Sequence, residues 1–225
     1  MRKFLLLIVL VFATNNLFAE TGKDLLDACE KAMGHNRFAE FKTCKIEASI
    51  NQMGIKAELV IYKKGNNIRL EQSAMGQEMV YVVTENAFFM LKPSFQELPM
   101  EQAESITGQI SVIIPNVAEF KKEVQPENIA LAGLADFNGK SAKKVKLSNA
   151  DGDSFLFLDP VTNWLTGVSI PDAGLDLTFE SMKRVRGFVY PSVIKMTQSG
   201  QSIGEITVNS FEVDIELADS LFAKE

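Results

Sequence analysis

The residues with most chemistry to offer in this 225-residue chain are one histidine, two cysteines and a scatter of aspartates. His35 follows a glycine in Gly34-His35-Asn36-Arg37. One imidazole cannot build a multi-histidine metal site, and no motif supplies a serine or cysteine partner, so His35 reads as a surface-loop residue. Cys29 and Cys44 each fall on the inward face of the element expected around them. Either they are bridged, which in an oxidising compartment would close a short loop worth about 3 kcal/mol, or they pack as small hydrophobes. Asp151-Gly152-Asp153 starts like a calcium loop but lacks the further ligands and the closing glutamate, which leaves a solvated turn. Asp159, Asp172 and Asp176 are spread through turns and a wet strand face. The chain has no Walker A loop, Gly-x-Gly-x-x-Gly, His-Glu-x-x-His or Cys-x-x-Cys. Nothing here points to covalent catalysis, to a metal or to a cofactor, so an enzyme is not expected.

The elements that would position any site are far better marked. Leu25, Leu26, Cys29, Ala32 and Met33 recur at helical spacing before Gly34, which predicts an amphipathic helix over Gly22 to Met33. From Cys44 to Leu91 five short strands follow. Cys44, Ile46, Ala48 and Ile50 alternate with polar residues, as do Ile55, Ala57, Leu59 and Ile61, and then Ile68 and Leu70. In Met79-Val80-Tyr81-Val82-Val83 and Ala87-Phe88-Phe89-Met90-Leu91 the polar face is gone. Strands apolar on both faces must be covered on both sides, by helices, by a second layer or by something the protein carries. Met100 to Phe120 reads as one or two short helices interrupted by Pro115, a candidate lid over these strands. Asn138-Gly139 signals a type I′ hairpin joining Ile129–Ala135 to Lys140–Ser148. Further strands are expected near 155–158, 165–170, 174–182, 188–197 and 203–213.

Composition narrows the class. Residues 1–19 carry Arg2 and Lys3, an apolar run from Phe4 to Ala13 and Leu17-Phe18-Ala19 before Glu20, the pattern of a cleavable export signal. Its removal would lower the formal charge from −6 to −8, and an acidic chain without a basic stripe excludes nucleic acid as a partner. Residues 20–225 are expected to form one domain, soluble outside the cytoplasm, in the periplasm of a bacterium. Sixteen Phe and nine Met, among them Met53, Met75, Met79, Met90, Met100, Met182 and Met196, suit a surface that accommodates irregular apolar guests.

Six short segments, Ala32-Met33-Gly34, the hairpin from Glu58 to Arg69, Met75-Gly76-Gln77-Glu78-Met79, Leu158-Asp159-Pro160, Gly187-Phe188-Val189-Tyr190-Pro191 and Ala218-Asp219-Ser220-Leu221-Phe222, occur in this order. Together they carry a resemblance to the LolA/LolB superfamily of periplasmic lipoprotein carriers, especially LolA-like outer membrane lipoprotein-sorting proteins. It implies an α+β fold, a strongly curved antiparallel sheet or incomplete β-barrel with helices covering its concave face and a hydrophobic cavity for acyl chains. It also implies a partner-contacting basic residue after the second strand, for which Lys64 is the nearest match, with Gly65 where the family often has proline. On this reading the protein is a soluble, monomeric carrier or chaperone that shields lipoprotein acyl chains between an inner-membrane donor and an outer-membrane acceptor. The expected lining is Ile46, Leu59, Ile61, Leu70, Met79, Tyr81, Phe89, Met100, Ile106, Phe155, Phe157, Leu177 and Phe179. A periplasmic sensor or regulatory binding module of the same fold is the alternative.

Overall fold

The computed structural model describes residues 20–122, 124–150 and 152–224. The expected export signal, residues 1–19, and Asp151 lie outside them. The chain enters through α1 (Gly22–Met33), whose start is set by a reciprocal cap: Thr21 Oγ1 accepts from the Asp24 amide at 3.1 Å, and Asp24 Oδ2 accepts from the Thr21 amide at 3.1 Å. The helix stops at Gly34, whose φ of 66° places it in the left-handed region. A Cβ there would also collide with the Gly187 carbonyl, so the residue answers both a conformational and a steric demand.

After a 3₁₀ turn (His35–Glu40), six strands meander outward: β1 (Thr43–Gln52), β2 (Ile55–Lys64), β3 (Asn67–Ala74), β4 (Gln77–Val83), β5 (Phe88–Lys92) and β6 (Gln96–Leu98). The sequence pattern did not reveal β6, because three residues carry no readable alternation. Two helices, α2 (Ala103–Ile113) and α3 (Val117–Lys122), then cross to the far edge, as expected for Met100 to Phe120. Seven strands meander back: β7 (Ile129–Phe137), β8 (Lys140–Asn149), β9 (Gly152–Leu158), β10 (Leu165–Ile170), β11 (Leu175–Val185), β12 (Phe188–Gln198) and β13 (Gln201–Val213). Asn138 and Gly139 have φ of 52° and 76°, the positive values that a type I′ tip requires.

All thirteen strands form one antiparallel sheet in the order β6-β5-β4-β3-β2-β1-β13-β12-β11-β10-β9-β8-β7. The first and last strands pair at its centre, with Ile46 opposite Phe211, while β6 and β7 remain as separate edges. The sheet is therefore open, as the family resemblance implies. Register shifts at Glu47/Ala48 and Leu131/Leu134 insert extra residues into the ladder, a local source of bending.

Its inner face carries the main core. Ile46, Ile61 and Leu70 from the first half and Leu156, Val168, Leu177 and Phe179 from the second pack with Leu25, Leu26, Cys29 and Met33 of α1 and with Ile106, Ile113 and Val117 of the crossing helices. A separate cluster lies on the other face of β2–β5: Val82 and Phe89 are buried beneath Leu217 and Phe222, with Tyr62, Leu91, Ile215 and Leu221 around them. The C-terminal segment after β13 thus straps the outside of the first half. It is tied there by Lys64 Nζ, which donates to the Leu217 carbonyl at 2.7 Å, and by Arg69, which donates to the Leu221 carbonyl at 3.0 Å. The two-faced strands are covered by helices on one side and by the chain's own end on the other.

Candidate ligand cavity

A cavity of about 470 Å³ opens between the crossing helices and the first half of the sheet. On the sheet side it is bounded by Lys63 at the end of β2 and Ile68 at the start of β3, and below by Phe38 of the 3₁₀ turn. Glu104, Thr107, Gly108, Ile110 and Ser111 of α2, then Ile114, Asn116 and Glu119, form the helix side. The walls are apolar at Phe38, Ile68, Ile110 and Ile114 and charged at three points. Other openings lie among Glu58, Arg69, Glu71, Glu78 and Lys92, about 200 Å³, and at the adjoining β3–β4 tip. The first lies on the outer face of the sheet, and the second, about 810 Å³, is an open recess at a strand tip; neither is covered by the crossing helices.

Strand parity places Lys63 on the inner face. It follows Ala57, Leu59 and Ile61 at two-residue steps and stands opposite Cys44 and Ile68. Its ammonium lies 5.8 Å above the Phe38 ring. Among the described residues no ion pair is made by Lys63, Glu104 or Glu119, and Glu119 instead accepts from the Ser111 hydroxyl at 3.3 Å.

None of the thirteen lining residues expected from the sequence bounds this cavity. Ile46, Leu59, Ile61, Leu70, Ile106, Leu177 and Phe179 are on the inner side but buried in the main core against the protein's own helices, with Tyr81 packed at its margin. Phe89 belongs to the cluster on the outer face, because Val82 and Phe89 are cross-strand partners one step out of phase with Tyr81 and Met90. Phe155 and Phe157 are also outside: they share a face with Lys146 and Lys144, while the inner position is taken by Leu156. Phe157 stacks on Phe137 at 3.9 Å, and the Phe137 ring lies over Gly167, where any Cβ would strike it. Met79 lines the charged clefts near Lys92, with its sulfur 3.5 Å from the Tyr81 hydroxyl, and Met100 is exposed before α2. A continuous apolar run conceals which residues share a face. Lys63 was detectable as a charge in the apolar phase of β2, yet a charged residue does not suggest an acyl pocket.

Lys64, matched to a partner-contacting position, is engaged within the chain, with the Leu217 carbonyl and with Asp219 at 2.5 Å. Cys29 and Cys44 are both buried and both free, so the bridge is not formed in the structure. α1 sets the Cys29 sulfur 3.8 Å from the Met33 sulfur, and burial pushes the thiols up to about 12 and about 11, suppressing the thiolates.

His35 corrects the surface-loop reading: it is 1% exposed. Its Nδ1 accepts from the Val117 amide at 3.0 Å, which leaves Nε2–H to donate to the Val189 carbonyl at 3.2 Å. The ring lies 5.0 Å from Phe188, and burial lowers its pKa to about 4. A neutral histidine therefore pins the start of α3, one wall of the cavity, to β12. Asp159 is a turn residue, as expected; its Oδ1 accepts from the amides of Val161 at 3.0 Å and Thr162 at 2.7 Å. Among the described residues no group of three or more His, Cys, Asp or Glu could hold a metal ion.

No family model matches the sequence. No curated protein matches it either. Solved structures do match. A LolA superfamily protein from Nitrosomonas europaea superposes with a TM-score of 0.55 at 13% identity, covering 91% of this chain and 98% of that one. A DUF1329 family protein from Desulfovibrio piger gives 0.55 at 13% identity over 89% and 96%. A putative outer membrane lipoprotein-sorting protein domain from Vibrio parahaemolyticus gives 0.52 at 11% identity over 89% and 97%. At such identities the likeness is one of fold, shared with structures described as a LolA superfamily protein and as a lipoprotein-sorting domain.

Proposed function

We propose that residues 20–225 act as a single-domain carrier, exported to the periplasm, that shelters an acyl chain without covalent chemistry, in the manner of lipoprotein sorting. The observation that carries this reading is the cavity of about 470 Å³ walled by Phe38, Ile68, Ile110 and Ile114 and roofed by a helical segment. Its volume falls within the ~300–1,000 Å³ of small-ligand pockets, enough for one chain. Burial of each methylene contributes about 0.8 kcal/mol, so a partly enclosed chain binds without any catalytic group. Among the described residues no helix is long and apolar enough to cross a membrane. The fold shared with a lipoprotein-sorting domain supports the same reading.

The test is native mass spectrometry of protein exported by its own leader, together with titration of a fluorescent acyl probe. A bound lipid, and probe affinity lost on filling the cavity with Ile110→Trp, are the expected results. A protein that leaves the cell empty and ignores every acyl probe would overturn the carrier.

The sensor reading is favoured by one feature. Met53 and Met75, at the β1–β2 and β3–β4 tips, are 85% and 83% exposed. With Ile55 and Phe95 they put apolar side chains at the end of the strands away from Lys63, where a protein partner could dock. A pull-down recovering one signalling protein from cells whose copy holds no lipid would favour that reading.

A further inference from the structure

The carrier reading leaves three charges at the cavity unexplained, and their placement bears on what is carried. Lys63 occupies the inward phase of β2, next to Cys44 and Ile68, where the preceding inward residues Ala57, Leu59 and Ile61 are all apolar. A charge in such a place needs a counter-charge or water. Glu104 and Glu119 line the same cavity from the helix side, yet among the described residues neither forms an ion pair with Lys63 or with any other cation. The cavity thus holds opposite charges on opposing walls, with apolar surface from Phe38, Ile68 and Ile110 between and below them.

Resting on the carrier reading, we propose that this cavity seats a zwitterionic amphiphile: an anionic phosphate group against the Lys63 ammonium, a primary ammonium toward Glu104 and Glu119, and the acyl chain along Phe38, Ile68 and Ile110. Other guests fit the charges less well. A fatty acid or a purely anionic headgroup answers Lys63 but adds its charge to a lining that already holds one more negative charge than positive. A neutral guest offers no counter-charge to Lys63 or to either carboxylate. A quaternary ammonium keeps the charge but cannot donate a hydrogen bond to either carboxylate.

The experiment is displacement of a neutral fluorescent probe, N-phenylnaphthylamine, from the full exported protein by three lysophospholipids of one chain length, each below its micelle concentration. Lysophosphatidylethanolamine is expected to displace the probe at about tenfold lower concentration than lysophosphatidylglycerol, the size of one well-placed charge-assisted contact, with lysophosphatidylcholine between them. The pair Glu104→Gln/Glu119→Gln should remove the preference, whereas Lys63→Met should weaken the lysophospholipids by a similar factor and leave the preference between them, each reading being taken relative to that variant's own probe affinity, with the unfolding midpoint unchanged. Equal displacement by all three, or a preference for the glycerol headgroup, would overturn headgroup recognition while leaving acyl binding intact. Failure of the probe and of all three lipids to bind would bring down the carrier reading and this proposal with it.

Discussion

The outer faces of the two halves of this sheet look alike in sequence, since both carry phenylalanines, but they are solved differently. On β2–β5 the outer face is apolar at Val82 and Phe89 and lies under Leu217 and Phe222 of the C-terminal strap. Among the described residues no such strap lies on the outer face of β8–β11. There Phe155 lies under the Lys144 ammonium at 3.7 Å, Phe137 and Phe157 stack on each other, and Lys146 pairs with Asp153 at 2.7 Å. The first half is closed by distant chain, the second by near neighbours and solvated charge. Two-faced strands are thus accounted for within the chain itself, and the case for a passenger rests on the cavity beside Lys63.

Removing the anchor on each outer face tests that distinction most strongly. Phe89→Ala should destabilise by about 4 kcal/mol, the usual cost of deleting a buried ring, and should free the strap for proteolysis. Phe155→Ala, which removes a half-buried ring, should cost about 1 kcal/mol. Urea unfolding midpoints giving equal losses would erase the contrast between the halves.

The next largest effect belongs to His35, which joins the helical wall of the cavity to the second half. In the folded protein it refuses a proton down to about pH 4, whereas an unfolded chain takes one near 6.5. Between those values the unfolded state binds more protons, so this contribution is full above 6.5 and is lost as pH falls toward 4. The loss amounts to about 3 kcal/mol. Stability measured against pH should be flatter over that window in His35→Gln than in the wild type. An imidazole signal titrating near 6.5 in the native protein would contradict the buried pin.

Gly34→Ala should cost about 2 kcal/mol or more, from left-handed strain and the collision with the Gly187 carbonyl. Thermal melts would show it, and a neutral outcome would mean that α1 is not held against the β11–β12 tip. Lys64→Met is the smallest perturbation, about 1 kcal/mol, because the group is partly exposed. It should raise amide exchange in residues 214–224 while leaving exchange in β11 and β12 unchanged. Uniform acceleration through both halves would show that the strap is not a local device.

What could be read from the sequence follows the range of each interaction. α1 is bounded by Thr21, Asp24 and Gly34, all within or beside it, and its limits matched the expectation. The Asn138-Gly139 hairpin depends on two residues. The alternation in β1–β3 correctly separated their inner from their outer face. The site was much less legible. Phe89, Phe155 and Phe157 sit in strands that offer no polar phase to show which way they face, and the motif around His35 offers no partner that would mark it as buried.

By itself the sequence determined the turns, the leading helix and the presence of strands apolar on both faces, since each rests on spacing and turn chemistry within about a dozen residues, while the open α+β sheet was implied by the family resemblance. Only the tertiary structure decided what covers those faces, that His35 is a buried pin and that Lys63 faces Glu104 and Glu119 across a cavity. These outcomes come from contacts between residues distant in the chain, His35 with Val189 and Lys64 with Leu217, each over more than 150 positions. Periodicity shows that a face is apolar; only packing in three dimensions supplies its partner.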